Sequence, residues 1–326
     1  MQPFRYSRPG DSREACAAGA QPGAAFIAGG TDLLPLLKEG ARVATGLIDI
    51  NGLPFADIRH EAAGAWIGAL SRMSDAAADN RLRQDYPAIV EALLASASPQ
   101  VRNLATIGGN LLQRTRCLYF RDTAVPCNKR RPGSGCPAWD GQNRGNAILG
   151  GSRSCIATHA SDLAVALAAL DARVVLQGRH RRRQIPLTEF HRLPGDTPDI
   201  ETVLEPGELI IAVFVPATAC SRHSTYLKLR DRASFEWALT SAAAAVELDG
   251  NRIRRAGIAV GGVATKPWRL PQVEAALAGA RSEPATFRAA AELAGQEAEP
   301  RQRNAFKIEL MKRAIIGALT KAGNLP

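Results

Sequence analysis

The stretch AGGTDLLPLLK, Ala28 to Lys38, decides the fold. It joins a buried strand pattern, AAFI, to a helical one, LLPLLKE, through two adjacent glycines. Glycine enters positive φ without steric cost and lets backbone amides come close to a ligand. Thr31 can cap the helix or offer a hydroxyl, and exposed amides at such a turn suit phosphate oxygens. An ordinary strand-to-helix turn accounts for the same residues when they stand alone. Neither G-x-G-x-x-G nor G-x-x-x-x-G-K occurs here, which excludes a Rossmann or P-loop assignment for this turn.

The motif does not stand alone. NLATIGGNLLQ, Asn103 to Gln113, repeats the theme with Gly108-Gly109 between Thr106 and Asn110. Two Gly-Gly turns flanked by polar side chains can clamp both ends of a pyrophosphate, which points to a nucleotide cofactor.

Working outward, TGLIDI reads as a strand, AWIGALSRMSDAAAD as a strand entering a helix, and DYPAIVEALLASAS as a further helix. SDLAVALAALDARVVLQG is a helix started by Ser161 or Asp162 and followed by a strand. GELIIAVFVP is a strand closed by Pro216. Beyond it, ALTSAAAAVELDGNRIRRAGIAVGGV carries Asp249-Gly250 between two strand-like runs, a hairpin signal. Helical patterns fill the tail. The expected domain boundary lies near Ala219.

At 326 residues two domains are the natural expectation. Hydrophobic residues at 46% and charged residues at 22% are ordinary for a globular protein. No apolar run approaches the ~18 residues of a membrane span, so no membrane insertion is expected. The N-terminal MQPFRYSRPGDSREACAAG has no continuous apolar core and does not read as a secretory signal. The formal charge of +10 suits acidic partner surfaces. Its one dense run, GRHRRR at residues 178–183, lies between strand patterns and reads as a hairpin tip, and no aromatics interleave it. Nucleic-acid binding is not expected.

Four of the six cysteines, Cys117, Cys127, Cys136 and Cys155, fall in or at the edge of an irregular stretch from about Arg114 to Ser154. Cys16 and Cys220 read as small buried hydrophobes. A reducing compartment disfavours structural disulfides. The intervals of nine, eight and eighteen residues lack the paired C-x₂₋₄-C spacing usual for zinc. A [4Fe–4S] cluster also takes four thiolates, and its ligands can be widely spaced on a loop. Spacing alone leaves zinc and cluster both open.

Taken in order, AGGTDLLPLLK, TIGGNLLQ, ATHASDLAVALAALDA and YLKLRDRASFEWALTSAAAAVELDGNRI resemble the flavoprotein subunits of the xanthine dehydrogenase, or molybdenum hydroxylase, family over nearly the whole chain. NLLQRTRCLYFRDTAVPCNKRRPGSGC with the later CIATH most resembles the FAD-binding subunit of periplasmic molybdenum aldehyde oxidoreductases, which carries an extra iron–sulfur segment. The resemblance implies an α+β fold. A two-part FAD-binding domain of the PCMH, vanillyl-alcohol-oxidase-like type would span residues 1–219, with a [4Fe–4S] insertion at about 114–155. A smaller α+β domain of the CO dehydrogenase flavoprotein C-terminal type would span 220–326.

It also implies FAD contacts from Ile27, Ala28, Gly29, Gly30, Thr31, Asp32, Leu33 and Leu34, then from Thr106, Gly109 and Asn110. Asp162, Ile210 and Lys228 complete the implied set; Asp162 is otherwise a helix cap. Ala160 departs from the proline that relatives often carry in the HASD turn. The four clustered cysteines would hold one [4Fe–4S] cluster. No substrate chemistry is implied on this chain: a molybdenum-cofactor large subunit oxidises an aldehyde, and a [2Fe–2S] small subunit feeds electrons to FAD and an external acceptor. Location in the periplasm would follow from co-export with a signal-bearing partner, and the chain would stay cytoplasmic without it. The equivalent subunit of a 4-hydroxybenzoyl-CoA reductase-like or xanthine dehydrogenase-like complex is the alternative, and a non-enzymatic Fe–S or zinc module a third.

Overall fold

Three sheets with helices packed on them make up the computed structural model, which describes residues 2–323. The first is parallel, in the order β1-β3-β2, from β1 (Arg5–Ser7), β2 (Ala24–Ile27) and β3 (Gly46–Asp49). Parallel neighbours need a crossover. The helix Leu33–Glu39 supplies the one between β2 and β3, and it ends at Gly40 in the left-handed conformation.

The second sheet is antiparallel. It runs β4-β5-β8-β6-β7, from β4 (Ile58–Glu61), β5 (Gly64–Gly68), β6 (Arg173–Gln177), β7 (Arg182–Pro186) and β8 (Leu209–Pro216). The GRHRRR run forms the tip and start of β7 in the β6–β7 hairpin, as the sequence suggests. The pairing of β6 with β8 shifts register at Val175/Leu176. Such a bulge bends a strand and re-aims its side chains, here beside Ile210.

The third sheet, β12-β11-β10-β9, is also antiparallel. It contains β9 (Ser224–Leu229), β10 (Thr240–Asp249), β11 (Arg252–Gly261) and β12 (Trp268–Arg269). Gly250 turns the β10–β11 hairpin with φ of 57°. The alanine run of β10 has low strand propensity, but tertiary packing overrides it. Ala242, Ala244 and Val246 face a core shared with the helix Phe306–Ala322. Ala243 and Ala245 face the opposite core, built on the helices Pro87–Ala95 and Asp162–Ala169. A strand buried on both faces between close-packed helices has room only for small side chains, so β10 reads as a continuous apolar run.

The second glycine pair corrects the expectation of a turn. Gly108 and Gly109 lie inside the short helix Ile107–Leu111, and Thr106 Oγ1 caps it by accepting from Gly109 N at 3.2 Å. The Asp162–Ala169 helix is capped by Ser161, whose Oγ accepts from Ala164 N at 3.0 Å, so Asp162 is not the cap. Caps of this kind stabilise by roughly 1 kcal/mol. The cysteine segment is irregular as expected, apart from the turns Leu118–Arg121 and Pro137–Trp139.

Candidate cofactor-binding cleft

A cleft of about 490 Å³ opens where β2 ends, above β8 and beside the cysteine segment. That volume lies in the roughly 300–1,000 Å³ range of small-molecule sites. Ile27, Ala28, Gly29, Gly30, Thr31, Asp32 and Leu33 line it. Their backbone is unusual in one respect. Among the described residues no protein acceptor pairs with the amides from Ala28 to Leu33. The Ala28 carbonyl accepts from Asn51 Nδ2 at 3.0 Å, which fixes the peptide with its N–H groups left over. Successive unpaired amides in a turn form an anion-binding concavity.

Each glycine has a separate reason. Gly30 takes φ of 70°, left-handed backbone that costs other residues about 1–2 kcal/mol. A Cβ on Gly29 would lie 1.9 Å from the Leu104 carbonyl oxygen, so the first motif packs directly on the second. Leu34 does not line the cleft; it packs under Gly30, where an added Cβ would stand 2.9 Å from its Cδ1.

Thr31 does not cap the following helix. Asp32 occupies that position and makes no capping bond either. Its carboxylate accepts from Arg114 N at 2.8 Å and pairs with Arg116 and Arg121, both at 2.9 Å. The glycine loop is thereby tied to the start of the cysteine segment.

Thr106 and Gly109 line the opposite wall, but the amides of their helix are spent. Ile107 N donates to Ser71 O, Gly108 N to Ala69 O and Asn110 N to Thr106 O. The second motif contributes a close surface and no free donors. Asn110 turns away from the cleft and bonds Ser161 Oγ. Ile210 lines the floor.

Asp162 and Lys228 meet each other at 2.8 Å, with side chains 5% and 3% exposed. Asp162 also accepts from Ser96 Oγ at 2.9 Å and from the Tyr226 hydroxyl, and Lys228 Nζ donates to Ala95 O at 3.1 Å. Burial, then the Asp162 charge, pushes the Tyr226 phenol well above its usual range. The pair staples β9 to two helices. Asp162 is not among the residues lining the main cleft; it borders a small cavity of about 30 Å³, with Arg116 and Trp237, which are stacked at 4.4 Å. Thr158 and His159 border both spaces.

All six cysteines are free thiols. Burial raises the Cys136 thiol, and the charges of Cys117 and Cys127 add to this; burial takes Cys155 up to about 12, with Cys136 and Cys117 contributing. Cys117 packs against the buried cluster that contains Cys127. Cys155 lines the cleft itself. Ala157 N points at Cys155 Sγ (3.4 Å) and Asn146 Nδ2 at Cys117 Sγ (3.5 Å), donors of the kind that stabilise metal-bound thiolates. Among the described residues, however, no group of three or more His, Cys, Asp or Glu is arranged to hold a metal ion. The cluster expected from the sequence is not displayed by the geometry. Cys16 and Cys220 are buried elsewhere, 0% and 5% exposed.

Sequence reasoning missed two groups at the cleft. Lys129, two residues beyond Cys127, donates to Pro198 O at 2.7 Å and pairs with Glu201 at 2.8 Å, which pins the 192–202 wall to the cysteine segment. His159 and His191 line the cleft as an edge-on pair. CIATH contained the first, but nothing local marks His191 as its neighbour.

Comparison with known proteins agrees with this geometry. Residues 2–218 match the model of the FAD binding domain in molybdopterin dehydrogenase, and residues 224–322 match the CO dehydrogenase flavoprotein C-terminal domain. The chain is 48% identical to the aldehyde oxidoreductase FAD-binding subunit PaoB of Escherichia coli (strain K12), over 99% of both chains. It is 28% identical to the carbon monoxide dehydrogenase medium chain of Hydrogenophaga pseudoflava, over 97% of this chain and 96% of that one. Among solved structures, carbon monoxide dehydrogenase from Hydrogenophaga pseudoflava lacking the Mo-pyranopterin moiety superposes with a TM-score of 0.76 at 27% identity, covering 98% and 97%. The fold is shared as well with quinoline 2-oxidoreductase from Pseudomonas putida 86, at a TM-score of 0.77, 24% identity and coverage of 99% and 98%. The chain belongs to the FAD-binding medium subunits of the molybdenum hydroxylase family of oxidoreductases.

Proposed function

We propose that this chain is the electron-transfer FAD subunit of a heterotrimeric, molybdenum-dependent aldehyde oxidoreductase. The observation that carries the reading is the run of unpaired amides from Ala28 to Leu33, facing a cleft large enough for a cofactor. Likeness to the aldehyde oxidoreductase subunit over its full length supports the choice of aldehydes.

In this reading the amides of the glycine loop hold the pyrophosphate oxygens, with the Thr31 hydroxyl beside them. Gly29 sets the distance between the two motifs. Thr106 and Gly109 close the facing wall, and the backbone at Ile210 supports the flavin half. Asp162 and Lys228 hold the frame on which that half rests. FAD, when bound, links single-electron centres to a one- or two-electron acceptor. The aldehyde is oxidised on a large subunit with the molybdenum cofactor, and a small [2Fe–2S] subunit relays electrons toward an external acceptor.

Cys117, Cys127, Cys136 and Cys155 are the ligands we assign to one [4Fe–4S] cluster. The packing of Cys117 against Cys127, the donors aimed at Cys117 and Cys155, and the irregular loop around them support this. Export to the periplasm with a signal-bearing partner completes the proposal. Deleting that partner should leave the chain in the cytoplasm, and export of the lone chain would contradict it.

The test uses the purified complex. Adding an aldehyde without air should bleach the flavin absorbance, and an external acceptor should restore it. Full acceptor turnover by a complex stripped of flavin would refute the assignment.

A further inference from the structure

His159 and His191 are the unexplained polar groups of the cleft. Their rings meet edge-on, centroids 4.3 Å apart. Each uses one nitrogen internally. His191 Nε2 lies 2.9 Å from the Leu111 carbonyl, which can only accept, so Nε2 carries the proton and Nδ1 the lone pair. His159 Nδ1 accepts from Ser161 N at 3.3 Å, so its proton is on Nε2. The two remaining atoms, His191 Nδ1 and His159 Nε2, are buried and find no partner among the described residues. An unpaired buried polar atom costs about 1–3 kcal/mol, so a site that keeps two is built to receive something.

We propose that His159 and His191 form a hydroxyl-binding pair that grips the ribityl chain of the bound flavin dinucleotide. This rests on the FAD reading above. The pair offers one donor and one acceptor on adjacent rings, the pattern that a hydroxyl satisfies and that a phosphate or carbonyl, both acceptors only, does not. Charge agrees. Burial, then the His191 charge, holds the His159 ring well below the usual imidazole range, and burial takes His191 down to about 4. The Leu111 carbonyl also opposes the shift at His159, but only His191 meets it in bonding geometry. Two neutral rings give a phosphate no ion pair, while the free amides of the glycine loop do suit one. Place on the wall agrees too. His159 borders both the main cleft and the small cavity beside Asp162, between the phosphate loop and the far end of the site.

The experiment compares the deflavinated full chain with His191→Gln, His191→Phe and His159→Phe. His191→Gln keeps a donor for Leu111 but moves the acceptor, now the amide oxygen, off the position of the imidazole Nδ1. Binding of FAD, FMN and ADP is measured for each. FAD and FMN, which contain the polyol, should bind about tenfold more weakly to each variant, the loss of one satisfied hydrogen bond. ADP, which lacks it, should bind as to wild type, and that also reports a folded cleft. Unchanged FAD affinity would mean that the pair holds water alone and would overturn the proposal, as would an equal loss for ADP. Wild type that binds neither FAD nor ADP would overturn the flavin reading itself, a distinct result.

Discussion

Replacing Gly29 by alanine is the sharpest perturbation of the cleft. The new Cβ would stand 1.9 Å from the Leu104 carbonyl oxygen and 2.6 Å from its carbon. Both are backbone atoms, and Arg72 Nη1 holds that carbonyl at 2.6 Å. Neither motif can yield by a side-chain rotation, so the glycine loop must move off the second wall. Overpacking costs about 1–3 kcal/mol, and the upper end applies to a backbone clash. If that strain is released by displacing the amide run, about 3 kcal/mol of FAD binding is lost, roughly 150-fold in affinity. Gly30→Ala should be milder, because the Cβ meets the flexible end of Leu34 and the φ of 70° costs about 1–2 kcal/mol. Gly46→Ala meets nothing within 4 Å and is the control. The assay is FAD titration by flavin fluorescence, with thermal melting of the flavin-free chains. If Gly29→Ala binds FAD as Gly46→Ala does, the reasoning about the loop is wrong.

Lys228→Met leaves Asp162 buried and without its ion-pair partner, so denaturant titration should show a loss of about 3–5 kcal/mol, and adding Asp162→Asn should recover part of it. Lys307 is 0% exposed and donates to three carbonyls, those of Gly145, Asn146 and Gly262, while burial lowers its pKa to about 7. Because the unfolded chain keeps the proton up to about 10.4, stability should rise from pH 7 toward pH 10, and Lys307→Met should flatten that slope in pH-dependent melting. Serine in place of any one of Cys117, Cys127, Cys136 or Cys155 should remove the iron and acid-labile sulfide and weaken subunit assembly, with much of the FAD retained. Replacing Cys16 or Cys220 should change none of these, and one zinc without sulfide in the wild type would refute the cluster.

Most of the longer strands and helices were legible because they carried their own local signals, whereas β1, β4, β12 and the helix Ser12–Gly19 were not read from the sequence. The β2 turn has two glycines with distinct steric duties, and the Asp249-Gly250 pair marks the hairpin of the last sheet. Even β10, an alanine run poor in strand propensity, declared itself through the turn that follows it. The glycine motifs were legible as a pair, but not their division of labour. Glycine suits a turn and a helix start equally when the neighbour decides, and Thr106 decided for the helix. Pairings across distance were invisible. Asp162 meets Lys228 across 66 positions, and His159 meets His191 through the packing of an otherwise featureless loop. Such contacts are set by tertiary closure, and no local pattern encodes them.

The central claim is that the cleft at the glycine loop binds FAD without a covalent bond. No His or Cys lies inside either glycine motif to attach it. The direct measurement is the flavin content of the purified chain after acid precipitation. A yellow supernatant that chromatographs as FAD, with colourless protein in the pellet, is the predicted result. Protein that carries no flavin, or colour that stays with the denatured pellet, would contradict the account.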